Sequence, residues 1–181
     1  VVTDDEDVLQ KVSDARLLGV EKDTDKRYSG QRSWDFNTTA QGWRFHMSNI
    51  MAAIGIKQLN RFPEFSKKRQ ELAKKYDQLF NDHPFIQPVP RDYKTVVPHI
   101  YVVRICGMKD RKRIQQKMLE KRIEIGHHYQ PNHRLSFFQD EKHKPLPVTD
   151  TVFPELMSLP LHPDLTEEDI DYIVAELKIL I

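Results

Sequence analysis

The chain is poor in the features that most readily sort a sequence by place or chemistry. Cysteine occurs once in 181 residues, at Cys106, which excludes an internal disulfide and fits a reducing compartment. No run approaches the ~20 consecutive apolar residues that span a bilayer as a helix. An excess of either charge is missing too. The 28 Lys and Arg residues face 27 Asp and Glu, leaving a net charge of +1, so no global field draws nucleic acid or a membrane surface. There is no internal repeat and no low-complexity segment. Cytoplasm is the expected location, and the length suits one domain, or two small ones, with a core.

What is present is concentrated in residues 41–59, QGWRFHMSNIMAAIGIKQL. Gly42 reads as a turn glycine opening a burst of large side chains, Trp43, Arg44, Phe45 and His46. Ser48 stands at the N-cap position of a helix rich in Ala and Ile. Such a cluster before a helix N-terminus suits anion capture, because a guanidinium fork and free backbone N–H groups can meet one phosphate. The spacing equally allows Trp43 and Phe45 to be core and Arg44 and His46 to cap or pair.

Thr3 and Glu6 form a possible capping box for a helix over roughly residues 4–18, with Gly19 as its stop. Residues 20–41 read as a long polar loop, a kind usually functional or disordered. Helices are expected from Asn49 to Leu59 and, with Pro63 in its first turn, to about Asn81. In the second, Phe62, Phe65, Leu72, Ala73, Tyr76, Leu79 and Phe80 recur at helical spacing. Lys67, Lys68, Arg69, Lys74 and Lys75 cover the other side; Glu71 and Asp77 interrupt them, which favours a solvated face over a nucleic-acid surface. Residues 82–98 carry four prolines and read as a linker. HIYVVRI at 99–105 is a strand by composition, Asp110 caps a helix to about Lys121, and 123–125 can return as a strand. The last helix starts on a Thr166/Asp169 box, with Ile170, Ile173, Val174 and Leu177 inward.

Eight histidines raise the question of a metal. His127, His128 and His133 lie close together, with His143 and His162 beyond, but zinc sites normally show tight paired spacing and often cysteine, and the one cysteine, Cys106, is far away in sequence; no metal is expected.

Five blocks carry a resemblance. Residues 41–59 look like the G-[YFW]-x-[YF]-x-M-[ST]-[ND]-I-x-A-A-[IL]-G-x-x-Q-L signature of the DegT/DnrJ/EryC1/StrS family of pyridoxal-phosphate (PLP) sugar aminotransferases. RFPEFSKKR at 61–69, PHIYVVR at 98–104, GHHYQPNH at 126–133 and SLPLHPDLTEED at 158–169 follow in the expected order. The resemblance implies an α/β chain: the end of the large PLP-dependent transferase fold type I domain over 1–62, then a connecting long helix and small α+β C-terminal domain over 63–181. Residues 1–7 resemble the segment just after the family's Schiff-base lysine, so that lysine is expected upstream, in a missing N-terminal half, and no catalytic residue is assigned to this chain.

The same resemblance implies binding roles. Arg44 matches a position that is often Asn and reaches the PLP phosphate of the other subunit's site; as a cation it suits a phosphate dianion. His46 replaces the common Arg and ranks below Arg44. Trp43, with Trp34, can line the sugar or base. His128 and Tyr129 match the H-Y pair near the nucleotide-sugar, and can instead simply buttress the loop ending at Pro131. The implied activity moves an amino group from glutamate to a keto nucleotide-sugar, with the cofactor cycling between PLP and pyridoxamine phosphate (PMP) in a homodimer with shared active sites. The alternatives are a sugar 3-dehydratase with histidine in place of the lysine, and a non-catalytic dimerisation partner.

Overall fold

A computed structural model describes residues 1–20, 37, 38, 40–138 and 145–181. Most of the loop expected over 20–41, with Trp34, and His143 lie outside the described residues. The chain is mixed α and β and divides into two compact units, Val1–Asn60 and Arg61–Ile181.

In the first unit, α1 runs over Glu6–Ala15. Its cap is Asp5 rather than Thr3. One Asp5 carboxylate oxygen accepts from the N–H groups of Asp7 and Val8, at 2.9 and 3.1 Å. Thr3 Oγ1 accepts only from the Asp5 N–H. An ionised carboxylate is the stronger acceptor and meets two orphan donors at the positive helix end. Leu18 and Gly19 then take positive φ, and the Gly19 N–H returns to the Asp14 carbonyl at 2.9 Å.

That turn exposes an edge on which residues 43–45 dock. Trp43 N–H donates to Ala15 O (2.6 Å), Leu18 N–H to Trp43 O (3.0 Å) and Phe45 N–H to Arg16 O (2.9 Å), giving an antiparallel bridge between Leu17 and Arg44. Gly42 is not the turn glycine its surroundings suggest. A methyl group there would collide with the Gly19 backbone nitrogen, so Gly42 is required by close approach of two backbones.

Two separate helices were expected around Pro63, and the structure has one, α2, over Asn49–Phe80. Ser48 Oγ accepts from the Met51 N–H at 3.3 Å as its cap. Pro63 removes one internal hydrogen bond, a cost of up to about 3 kcal/mol. Beyond it, burial of Leu72, Ala73, Tyr76 and Phe80 offsets that loss, since each large side chain contributes about 1.5–3 kcal/mol.

The second unit packs the far end of α2, a three-stranded antiparallel sheet and two further helices around one core. The strands are β1 (Ile86–Pro88), β2 (Tyr101–Ile105) and β3 (Leu156–Leu159), in that spatial order. β1 lies inside the proline-rich stretch that reads as a linker. In β2 alternate residues point inward: Tyr101, Val103 and Ile105 are buried, and the Tyr101 ring stacks on Tyr76 at 4.5 Å. Residues 123–125 form no strand; the chain meets β3 only at Gly126, opposite Ser158. α3 (Arg111–Glu120) is capped by Asp110, α4 (Pro147–Val152) is a short helix before β3, and α5 (Glu167–Ile179) carries the full Thr166/Asp169 capping box. Ile170, Ile173, Val174 and Leu177 of α5 are buried.

The cationic side of α2 is largely engaged. Arg69 Nη1 donates to the carbonyls of His99 (3.0 Å) and Leu161 (2.9 Å), Lys75 pairs with Asp171 at 3.0 Å, and Lys67 approaches Glu71 at 3.9 Å.

Candidate functional site

The bridge to Leu17 fixes the direction of side chains along 43–46. Trp43 and Phe45 share one face, their rings stacked at 6.2 Å and 10°. In an extended segment the neighbours point to the opposite face, which places Arg44 and His46 together. All four are exposed, so the sequence option of a buried Trp43/Phe45 core is not what this unit contains. Among the described residues, no carboxylate pairs with the Arg44 guanidinium.

These residues fit the phosphate of a cofactor such as PLP. An exposed guanidinium with no carboxylate competing for it, on a backbone pinned by three hydrogen bonds, presents a planar donor fork to a dianion. The fit concerns the phosphate alone.

The second unit carries the loop from Gly126 to Arg134. It enters through a pair of backbone hydrogen bonds, Gly126 N–H to Ser158 O (3.1 Å) and Ser158 N–H to Gly126 O (2.8 Å). His128 is exposed, and its ring meets Tyr129 edge-on at 5.0 Å. Tyr129 is 77% exposed. A groove of about 1020 Å3 lies beside the loop, lined among others by His99, His127, His128, Ser158, His162 and Tyr172. Among the described residues, two buried polar atoms on its lining lack a hydrogen-bond partner, Ser158 Oγ and His127 Nδ1. Unpaired buried polar atoms mark places where a ligand or water completes the structure. Burial lowers the His127 pKa, and the nearby charges of Arg111 and His128 lower it further; the ring is therefore neutral near pH 7 and able to accept as well as donate.

The structure thus places Trp43, Arg44 and His46 in the first unit, and His128 and Tyr129 in the second. Sequence reasoning gave no role to Ser158, and weighed His127 only among the histidines considered for a metal. Ser158 sits in a motif segment, and only its burial opposite Gly126 singles it out.

Comparison with known proteins follows the same outline. SpsC, a spore coat polysaccharide biosynthesis protein of Bacillus subtilis, is 27% identical over 98% of this chain and 48% of its own length. UDP-4-amino-4,6-dideoxy-N-acetyl-beta-L-altrosamine transaminase of Campylobacter jejuni is 25% identical over 96% of this chain and 45% of its own. Spr1654 of Streptococcus pneumoniae in its PMP-form superposes with a TM-score of 0.84 at 27% identity, over 98% of this chain and 46% of that one, and a PLP-form is also solved. The chain spans about half the length of the relatives it matches, and its architecture matches the end of the PLP aminotransferase fold type I. The family model of the DegT/DnrJ/EryC1/StrS aminotransferases covers residues 1–178, and this chain belongs to that family.

Proposed function

We propose that this chain is the C-terminal portion of a PLP-dependent aminotransferase that transfers an amino group from glutamate to a keto nucleotide-sugar. The observation that carries the reading is Arg44: an exposed cation with no carboxylate partner among the described residues, held by the α1 edge just before α2, in a chain of this family. Residues 1–62 then form the end of the large cofactor-binding domain, and 63–181 the long helix and small C-terminal domain. PLP, when bound, supplies an electron sink through which an amino group passes between donor and acceptor.

Arg44 holds the cofactor phosphate in this reading, with His46 beside it. Trp43 offers a flat apolar face to the sugar or base, while His128 and Tyr129 donate and accept at the nucleotide-sugar. The exposed apolar side chains of Phe45, Met47, Ile50, Ile54, Leu59 and Phe62 support a further protein surface against this segment, because apolar patches on that scale mark interaction sites. A homodimer with shared active sites supplies that surface. Among the described residues no helix is long and apolar enough to cross a membrane, and the proposed location is the cytoplasm.

The test starts from the protein as isolated. Borohydride reduction followed by denaturing intact mass measurement is expected to reveal a phosphopyridoxyl adduct on a lysine of the polypeptide that carries this sequence, or of one accompanying it. Incubation with 15N-glutamate and a UDP-linked 4-keto sugar is expected to give 15N-labelled amino sugar and 2-oxoglutarate. A polypeptide with no adduct and no label transfer moves the assignment to the histidine-type dehydratase or to a non-catalytic partner.

A further inference from the structure

Outside the residues given roles above, a cluster of charged side chains in the second unit gathers at Asp150 on α4. Three donors converge on one oxygen of its carboxylate. His133 Nε2 donates at 2.9 Å, Arg134 Nε at 2.9 Å and Arg134 Nη2 at 2.6 Å. The Arg134 Nη2 group also reaches the Asp150 backbone carbonyl at 3.4 Å. These bonds hold the carboxyl pKa below its ordinary value, the His133 bond foremost and the Arg134 bond next.

His133 and Arg134 end the loop that starts at Gly126. The loop is therefore fastened twice: at Gly126 by the backbone pair with Ser158, and at 133–134 by Asp150. A third attachment lies between α4 and β3. Phe153 is buried; the His127 ring meets it edge-on at 5.5 Å, and the guanidiniums of Arg134 and Arg111 lie over it at 5.4 and 4.5 Å. Arg111 Nη1 also donates to the carbonyls of Phe153 and Leu156, both at 3.1 Å. Between the fastenings stand His128 and Tyr129. Among the described residues neither side chain makes a hydrogen bond, and their ring contact is with each other.

Global stability is a weak reason for such an arrangement. The Asp150 side chain is 42% exposed and that of Arg134 34%, and ion pairs this open contribute little to global stability. Their effect is local: they remove the freedom of one loop end while two exposed, chemically capable side chains in the middle stay available. Order held ready before binding lowers the entropic cost of capturing a ligand.

We propose that Asp150 is a positioning residue, fastening His133 and Arg134 so that the 126–134 loop holds His128 and Tyr129 toward a nucleotide-sugar. The proposal rests on the reading of those two side chains as substrate contacts. Asp150 itself touches no substrate.

The test compares Asp150→Asn, Asp150→Glu and Glu155→Gln in the full-length holoenzyme. Glu155 pairs with Arg104 at 2.6 Å in the same unit and serves as the control for loss of an ion pair elsewhere. Hydrogen exchange over residues 126–134 reads the loop. Calorimetric titration with UDP and dTDP, and KM against kcat with a UDP-linked 4-keto sugar, read its use. Asp150→Asn is expected to speed exchange in 126–134 while leaving β2 and α5 protected. It should weaken nucleotide binding and raise KM by about threefold to fivefold, the limit set by the modest strength of a solvent-exposed fastening. Cofactor retention and kcat stay within about twofold, Asp150→Glu restores part of the loss, and Glu155→Gln does neither. If Asp150→Asn does not fold, His133→Phe removes one of the three donors and gives the same pattern at smaller amplitude. Unchanged exchange overturns the fastening. Faster exchange with unchanged affinity and KM overturns the positioning role. Wild-type protein that binds neither nucleotide and transfers no amino group overturns the functional reading itself, and with it the use assigned to the loop.

Discussion

Replacing Asp77 by alanine removes the acceptor of two phenols at once. Its carboxylate accepts from Tyr101 at 2.5 Å and from Tyr93 at 2.6 Å, tying α2 to β2 and to the chain that precedes it. The two phenols differ in what happens next. Tyr93 is only half-buried and can turn its hydroxyl to water. Tyr101 is fully buried and cannot. A hydrogen bond to a charged group is worth about 1.5–3 kcal/mol, and an orphaned buried donor costs about 1–3 kcal/mol. Asp77→Ala is therefore expected to destabilise by about 3–4 kcal/mol. Asp77→Asn keeps one acceptor oxygen and loses the charge, for about 1–2 kcal/mol. Tyr101→Phe removes the donor and leaves the half-buried carboxylate with Tyr93 and solvent, for about 1 kcal/mol. Urea unfolding followed by tyrosine fluorescence gives all three from the shift in midpoint at constant slope. If Asp77→Ala costs under about 1 kcal/mol, or no more than Tyr101→Phe, the asymmetry between the two phenols is not what sets the energetics.

Three further outcomes are expected. Arg44→Ala should weaken PLP retention, measured by equilibrium dialysis of the full-length protein, by about tenfold to a hundredfold, and Arg44→Lys by less, because a point charge replaces a fork. Thr166→Ala should lower stability by about 1 kcal/mol by opening the α5 capping box, read as a shift in urea midpoint without loss of cofactor. Tyr93 has its pKa raised to about 12, first by burial and then by its bond to Asp77. Its phenol form is favoured in the folded state, so this contribution is complete below pH 10 and is lost as pH rises toward about 12. Absorbance titration of phenolate should accordingly show a delayed fraction whose appearance coincides with unfolding.

The sequence spoke most clearly where a signal is local. The Thr166/Asp169 box and the inward Ile170, Ile173, Val174 and Leu177 are within one helix, and the Asp110 cap lies three residues from its donor. Pro63 shows the limit. A proline in a first turn and a proline inside a helix look alike in one dimension, and burial of Tyr76 and Phe80 beyond it decides for a single helix. β1 escaped because three residues among prolines carry no period, and the pairing with Val103 and Ile105 that defines it is far along the chain. Gly42 signalled a special backbone correctly, but the reason lies in Gly19, more than twenty residues earlier. The motif around 126–133 marked the loop, whereas Asp150, which holds its far end, stands in a stretch with no periodic or motif signal at all.

The sheet of the second unit ends on β1, and that edge has a consequence for handling the protein. β1 is three residues long, its last residue is Pro88, and Pro84 and Pro90 stand on either side. A proline offers no N–H to an incoming strand, and a short edge gives little to pair with. On the opposite side, the Gly126 bridge already occupies Ser158, the third residue of β3. Strand-by-strand growth into fibrils is thus blocked at β1 and hindered at β3. Self-association of the chain should instead be amorphous, run through the bare side chains between Phe45 and Phe62, and yield to mild detergent rather than to fibril-dissolving denaturants.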